Sequence, residues 1–175
     1  MTDTTNDGRR GFLRIAIGLG GAAVAALMAV PGVAYVLDPL IRRRPKNDAW
    51  REIGAASVLR DDKPVSLPII GDKVDAWTRA PRQQLGTVWL RKREGGELVA
   101  FTAECPHLGC RIGYDEDKNE FFCPCHESAF GLDGSVLTGP SPRPMDELEA
   151  RVNDDKIEIR FRRFRTAIPE QDEIG

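Results

Sequence analysis

The chain has 175 residues, a net charge of −2 and 41% hydrophobic residues. That length holds one domain of about 130 residues after an N-terminal segment, with a modest core. The mixed, near-neutral charge excludes the basic footprint of a nucleic-acid partner.

Residues 1–8 are polar and predict a disordered start. Arg9-Arg10-Gly11-Phe12-Leu13-Arg14, within an N-region of residues 1–14, resembles the twin-arginine export signal, which carries folded, cofactor-loaded proteins across a membrane. Ile15 to Leu37 is an uncharged run of 23 residues. As a helix it would be about 35 Å long, enough to span a bilayer as an anchor over residues 15–37. It exceeds the roughly 7–15-residue apolar stretch of a cleaved signal, although Ala23-Val24-Ala25 offers a cleavage-type triplet. Pro31 predicts a kink. Gly18, Gly21, Ala22 and Ala25 would let a neighbouring helix approach closely. Residues 38–49, with Pro39 and Pro45, predict a stiff neck linker. Arg9, Arg10 and Arg14 before the helix oppose Arg42, Arg43, Arg44 and Lys46 after it, so charge alone sets no orientation.

From Trp50 the patterns are those of strands. Pro64–Ile70 alternates between prolines, and Val74–Thr78 and Thr87–Arg91 are short β-rich runs. Leu98–Thr102 and Arg111–Tyr114 follow, with a polar turn over Asp115–Glu120 and a further strand through Phe121 and Phe122. Asp133-Gly134 reads as a hairpin turn. Leu148–Val152 pairs with Ile157–Phe161 across Asn153-Asp154-Asp155-Lys156. Residues 166–175 read as a frayed tail. The expected fold is all-β, an antiparallel sandwich over residues 50–165.

The chemistry is concentrated in two stretches, Cys105-Pro106-His107-Leu108-Gly109-Cys110 and Cys123-Pro124-Cys125-His126-Glu127-Ser128. They contain all four cysteines and both histidines of the chain. Twelve residues separate them, about right for two strands and a connection. Each offers a Cys and a His two or three positions apart. The residues alone admit a Cys2His2 zinc site, two plain disulfides in any of three pairings, or a mixed-ligand iron–sulfur centre.

The pattern C-x-H-x-G-C … C-P-C-H-x-S, followed by Gly139-Pro140-Ser141-Pro142, resembles the Rieske iron–sulfur family. The resemblance implies one 2Fe–2S cluster held by Cys105, His107, Cys123 and His126, two histidines replacing two cysteines on one iron. It implies a disulfide between Cys110 and Cys125, which needs an oxidising compartment. It makes Gly139, Pro140 and Pro142 a proline loop over the cluster, and residues 102–144 a cluster-binding subdomain on a β base. Leu108, Glu127, Ser128 and Phe130 become the residues that tune the cluster, and His107 and His126 the ligands that face a quinol.

The implied role is that of the iron–sulfur subunit of a cytochrome bc-type quinol–cytochrome c oxidoreductase. Such a subunit takes an electron from membrane quinol, works with cytochrome b, and passes the electron to a c-type cytochrome. It would sit in a prokaryotic cell membrane with its head on the periplasmic side. The alternative is the small Rieske subunit of a periplasmic molybdenum oxidase of the arsenite oxidase type. A soluble Rieske ferredoxin fits less well, because that class lacks both the extra cysteine pair and the membrane helix. Two departures stand out. Glu127 stands where the family often has glycine, so a positive φ there would be strained. Phe130 stands where high-potential members place a tyrosine hydroxyl on the sulfur of the first ligand cysteine. A missing hydrogen bond to a cluster sulfur lowers the potential and points to menaquinol.

Overall fold

The computed structural model describes residues 4–41, 49–60, 63–74, 78–93 and 95–174. These fall into a helical unit and a β-rich head. The helix α1 runs from Thr4 to Ile41, 38 residues, or about 57 Å. It is longer than expected at both ends. It begins inside the segment read as disordered, passes through Pro31 without interruption, and takes in the first residues assigned to the neck. Its Gly8–Asp38 stretch is long and apolar enough to cross a membrane, and its large apolar side chains from Phe12 to Ile41 are exposed. Residues 42–48 of the expected neck, with Arg42, Arg43, Arg44, Pro45 and Lys46, lie outside the described residues, as does the centre of the Val74–Thr78 run.

The head contains thirteen strands among the described residues. One sheet has the order β1 (Trp50–Ala55), β11 (Lys156–Arg160), β10 (Ala150–Asn153). A second has the order β2 (Val65–Val74), β3 (Arg79–Lys92), β4 (Leu98–Thr102), β9 (Glu147–Leu148). A third is the meander β5 (Gly113–Asp115), β6 (Glu120–Cys123), β7 (Ser128–Phe130), β8 (Val136–Thr138). Every pairing is antiparallel.

The β2–β3–β4–β9 sheet is shared by two cores. Ile69, Val88, Leu90, Ala100 and Leu148 face the first sheet and pack with Ile157, Ile159 and Phe161. Val99 and Phe101, on the other face of β4, pack with Cys105, Ile112, Phe121, Cys123, Phe130 and Met145. Period-two alternation sends neighbouring residues of β4 into different cores. Residues 98–101 therefore read as a continuous apolar run, as expected for a strand covered on both sides. Trp89, opposite Phe101 in the ladder, joins the second core and donates its indole N–H to the Ile112 carbonyl at 3.0 Å.

The expected hairpin across residues 153–156 is present, with Asn153 opposite Lys156. Asp154 and Asp155, at φ +46 and +60, form its two-residue loop, the backbone combination of a type I′ turn. Leu148 does not belong to that hairpin. It pairs with Ala100 in β9, and the chain changes sheets before Ala150.

The frayed tail is a correction. Arg163–Phe164 (β12) pairs with Glu173–Ile174 (β13). Arg165 closes the loop between them, donating its backbone N–H to the Asp172 carbonyl at 2.8 Å and its Nε to the Asp172 carboxylate at 2.9 Å. Strands of two residues are too short to show a period, and so the sequence pattern did not reveal them.

Candidate metal centre

The first loop leaves β4 and is pinched at its base. Ala103 donates to the Thr87 carbonyl and Ile112 to the Ala103 carbonyl, at 2.9 and 2.8 Å. Glu104 and Arg111 form a bridge one step further out. Inside it, Cys105 N–H donates to the Cys110 carbonyl and Gly109 N–H to the Cys105 carbonyl, both at 2.8 Å. Gly109 has φ +79, which a glycine adopts without steric penalty.

The second loop is the connection between β6 and β7, closed by Cys123 opposite Ser128. Glu127 has φ +60, in the left-handed region that its departure from glycine put in question. The strain of a non-glycine residue there is about 1–3 kcal/mol. The surrounding structure holds it because the proline loop lies directly behind. Gly139, at φ +96, is packed so closely that a Cβ on it would stand 2.8 Å from both the Glu127 carbonyl oxygen and the Ser128 nitrogen.

Together the two loops bring the four residues into one place. Cys105 and Cys123 are free, buried thiols, 1% and 2% exposed. The His107 and His126 rings lie edge to face with centroids 4.6 Å apart. His126 is exposed and His107 half-buried. Cys110 and Cys125 form a disulfide, with Cα atoms 6.5 Å apart, that ties loop to loop. Its sulfurs and Cys123 Sγ all lie within 4.8 Å of one another. Two of those three sulfurs are spent on each other, so they do not form a metal set of their own.

Burial pushes the Cys105 thiol up to about 11. The backbone N–H of His107, and less strongly that of Leu108, donates to its sulfur and opposes the shift, while the Cys123 thiol adds to it. Metal binding here must release protons from buried thiols.

Within the two loops, His107 Nδ1 and Ser128 Oγ are buried polar atoms with no hydrogen-bond partner. Buried polar groups are almost always satisfied, so such orphans call for an unseen partner. An imidazole nitrogen in this position suits a metal, and a hydroxyl suits an acceptor such as a sulfide. The donor set of two thiols and two imidazoles fits a 2Fe–2S group with mixed ligands.

The proline loop is held from below. Ser141 Oγ donates to the Arg143 carbonyl at 2.8 Å. Arg143 makes a bidentate pair with Asp146, Nε to Oδ1 at 2.9 Å and Nη2 to Oδ2 at 2.8 Å, with both side chains 5% exposed. Its Nη1 donates to the Ile168 carbonyl at 2.6 Å. The Asp146 carbonyl takes the N–H of Thr102, where β4 ends. The loop between β12 and β13 also reaches the site, with Ala167 N–H donating to the Pro106 carbonyl at 2.9 Å. Sequence reasoning missed Arg143, Asp146 and Ala167. The i, i+3 spacing of Arg143 and Asp146 was a weak signal, and Ala167 carried none.

Leu108, Pro140 and Pro142 are exposed around the site, while Phe130 is wholly buried in the second core with Cys105. Arg9 and Arg10 lie within α1. Replacing Cys110 by serine should speed loss of the bound group to a chelator before it lowers the unfolding midpoint of the base. Parallel absorbance and circular dichroism measurements check this, and equal effects on both would contradict it.

Residues 49–152 match the Rieske [2Fe-2S] domain family. The chain is 34% identical over 151 residues to the cytochrome b6-f complex iron-sulfur subunit of Chlorobaculum thiosulfatiphilum, covering 86% of this chain and 74% of that protein. It is 32% identical over 150 residues to the menaquinol:cytochrome c reductase iron-sulfur subunit of Bacillus subtilis, covering 83% and 87%. The solved cyanobacterial plasma membrane Rieske protein PetC3 from Synechocystis PCC 6803 aligns at 28% identity and a TM-score of 0.40, over 43% of this chain and 78% of that one.

Proposed function

The chain belongs to the Rieske [2Fe-2S] family and carries one such cluster, and from that premise we propose that Cys105, His107, Cys123 and His126 are its ligands. We further infer that the head moves electrons from membrane menaquinol to a c-type cytochrome, as the iron–sulfur subunit of a cytochrome bc-type complex. The observation that carries the ligand assignment is the convergence of two free buried thiols, the two histidines and the orphaned His107 Nδ1. The named relatives, subunits of a cytochrome b6-f complex and of a menaquinol:cytochrome c reductase, support a quinol and cytochrome partners.

When bound, the cluster supplies a one-electron acceptor. With Nδ1 of His107 turned to the cluster, its Nε2 edge would remain for hydrogen bonding, and the exposed His126 ring would offer a second edge to a quinol hydroxyl. His126, being exposed, is the more accessible of the two. Ser128 Oγ, buried, without a partner and opposite Cys123 in the ladder, would donate toward the cluster. The disulfide holds the two loops at fixed separation, and α1 anchors the chain. Export through the Arg9-Arg10 signal would place the head in the oxidising periplasm that the disulfide requires.

His107→Ala should abolish the Rieske electron spin resonance signal, and cytochrome b should copurify with the wild-type chain from native membranes. Stoichiometric zinc without iron in protein from its own host would overturn the ligand assignment. Copurification of a molybdenum subunit would overturn the quinol assignment.

Phe130→Tyr tests the menaquinol assignment. A hydrogen bond to a charged sulfur is worth roughly 1.5–3 kcal/mol, on the order of 65–130 mV for one electron. The variant should raise the midpoint potential by several tens of millivolts or more. Protein-film voltammetry showing no rise, or a wild-type value near the top of the family range, would remove the basis for menaquinol.

A further inference from the structure

The loop between β12 and β13 reaches the first ligand loop, with Thr166 near Gly109 and a backbone hydrogen bond to Pro106. Ala167 N–H donates to the Pro106 carbonyl at 2.9 Å. That carbonyl belongs to the same peptide as the His107 N–H, which faces the Cys105 thiol closely enough to oppose the upward push of burial. One peptide therefore connects the two: Ala167 N–H bonds to its carbonyl, and its N–H faces Cys105 Sγ. A carbonyl that accepts a hydrogen bond polarises its own amide and makes the N–H a stronger donor, by about 10–30% per bond. The distal end of the chain is fixed in turn. Arg143 Nη1 holds the adjacent Ile168 carbonyl at 2.6 Å, and the Arg165–Asp172 contacts close the loop. Ala167 itself sits at φ +62, so its orientation is imposed on a residue that does not favour it.

We propose that the segment from Arg163 to Ile174 is a tuning strap, in which the Ala167 amide acts through the Pro106–His107 peptide to stabilise negative charge on the Cys105 sulfur and so favours the reduced cluster. This rests on Cys105 being a ligand, as proposed above. Ala167 is a positioning residue. It works through the peptide between two ligands, to which its N–H is bonded.

Linkage makes the effect reciprocal. If the strap favours reduction, reduction strengthens the strap by the same factor. The first test therefore uses the unaltered full-length holoprotein. Amide hydrogen exchange of the peptide containing Ala167 is followed by mass spectrometry in the oxidised and reduced states. Exchange should be about threefold slower in the reduced protein.

The second test compares two substitutions. Ala167→Pro removes the donor and, with φ locked near about −65°, also releases the strap from Pro106, whereas Ala167→Gly keeps the donor and suits the positive φ. Ala167→Pro should shift the reduction equilibrium about threefold toward the oxidised form, close to 30 mV lower at 59 mV per decade. Ala167→Gly should stay at the wild-type potential.

Equal exchange rates in the two redox states overturn the proposal, and this result needs no variant to fold. So does a shift in Ala167→Gly as large as in Ala167→Pro, which would indicate general loosening. A wild-type chain lacking the Rieske signal would overturn the ligand assignment first. A wild-type chain with the signal but with equal exchange and unchanged potentials overturns the strap alone.

Discussion

Arg143→Ala is expected to lower the unfolding free energy of the head by about 3–5 kcal/mol, the loss typical of removing one partner from a buried ion pair. The Asp146 carboxylate, 5% exposed, would keep its charge and lose both of its guanidinium bonds. The Ile168 carbonyl would lose its donor at the same time, releasing the loop that contacts Pro106. The consequence should therefore reach the cluster as well as the base. Urea titration of the purified head gives the stability, and the chelator-driven loss of cluster absorbance gives retention. The double change Arg143→Met with Asp146→Leu should recover most of the stability, because it removes the stranded charge. A single-variant loss below about 1 kcal/mol would show that water satisfies Asp146, contrary to its burial.

The second large effect is at Gly139. Alanine there would place a Cβ against the backbone of Glu127 and Ser128, with 2.8 Å to two of its atoms. Backbone cannot swing aside as the end of a long side chain can. The proline loop and the second loop would have to separate, carrying Ser128 and the Cys123–Ser128 pairing with them. Gly139→Ala protein should lack the Rieske signal while its circular dichroism still reports a folded base. Gly95 is the control. It also has a positive φ, +107, but nothing lies within 4 Å of a Cβ built on it. Gly95→Ala should carry only the backbone strain, about 1–3 kcal/mol, and keep the cluster. Loss of the cluster in both variants would mean that φ, not the close approach, governs the Gly139 position, and retention in both would overturn the steric account.

The site was legible because its chemistry is carried by rare residue types. Two histidines and four cysteines in two short stretches leave few arrangements, and the hairpin at Asp154-Asp155 has a sequence signal of its own. The supports of the site were not legible, for physical reasons. Arg143 would be read as a surface residue, since arginine is seldom buried, and only the fold supplies the partner that allows it. Ala167 acts through its backbone N–H, which every non-proline residue possesses. Glu127 was flagged by its chemistry, but the strain became visible only with its φ. The extra turns of α1 were hidden by polar residues, which suit a helix end as well as they suit a disordered start.

The sheet shared between the two cores also acts as a gauge. Ala100 is small and faces the base, while Val99 and Phe101 are large and face the ligand loops. Sliding β4 by one residue would drive Phe101 or Val99 into a space shaped for alanine and leave a hole on the other side. It would also move Cys105, three positions beyond Thr102, by about 3.3 Å. Both errors are penalised at once, so the strand seats in one notch only. The base therefore sets where the first ligand stands, and its surface residues are free to diverge as long as that large–small–large rhythm is kept.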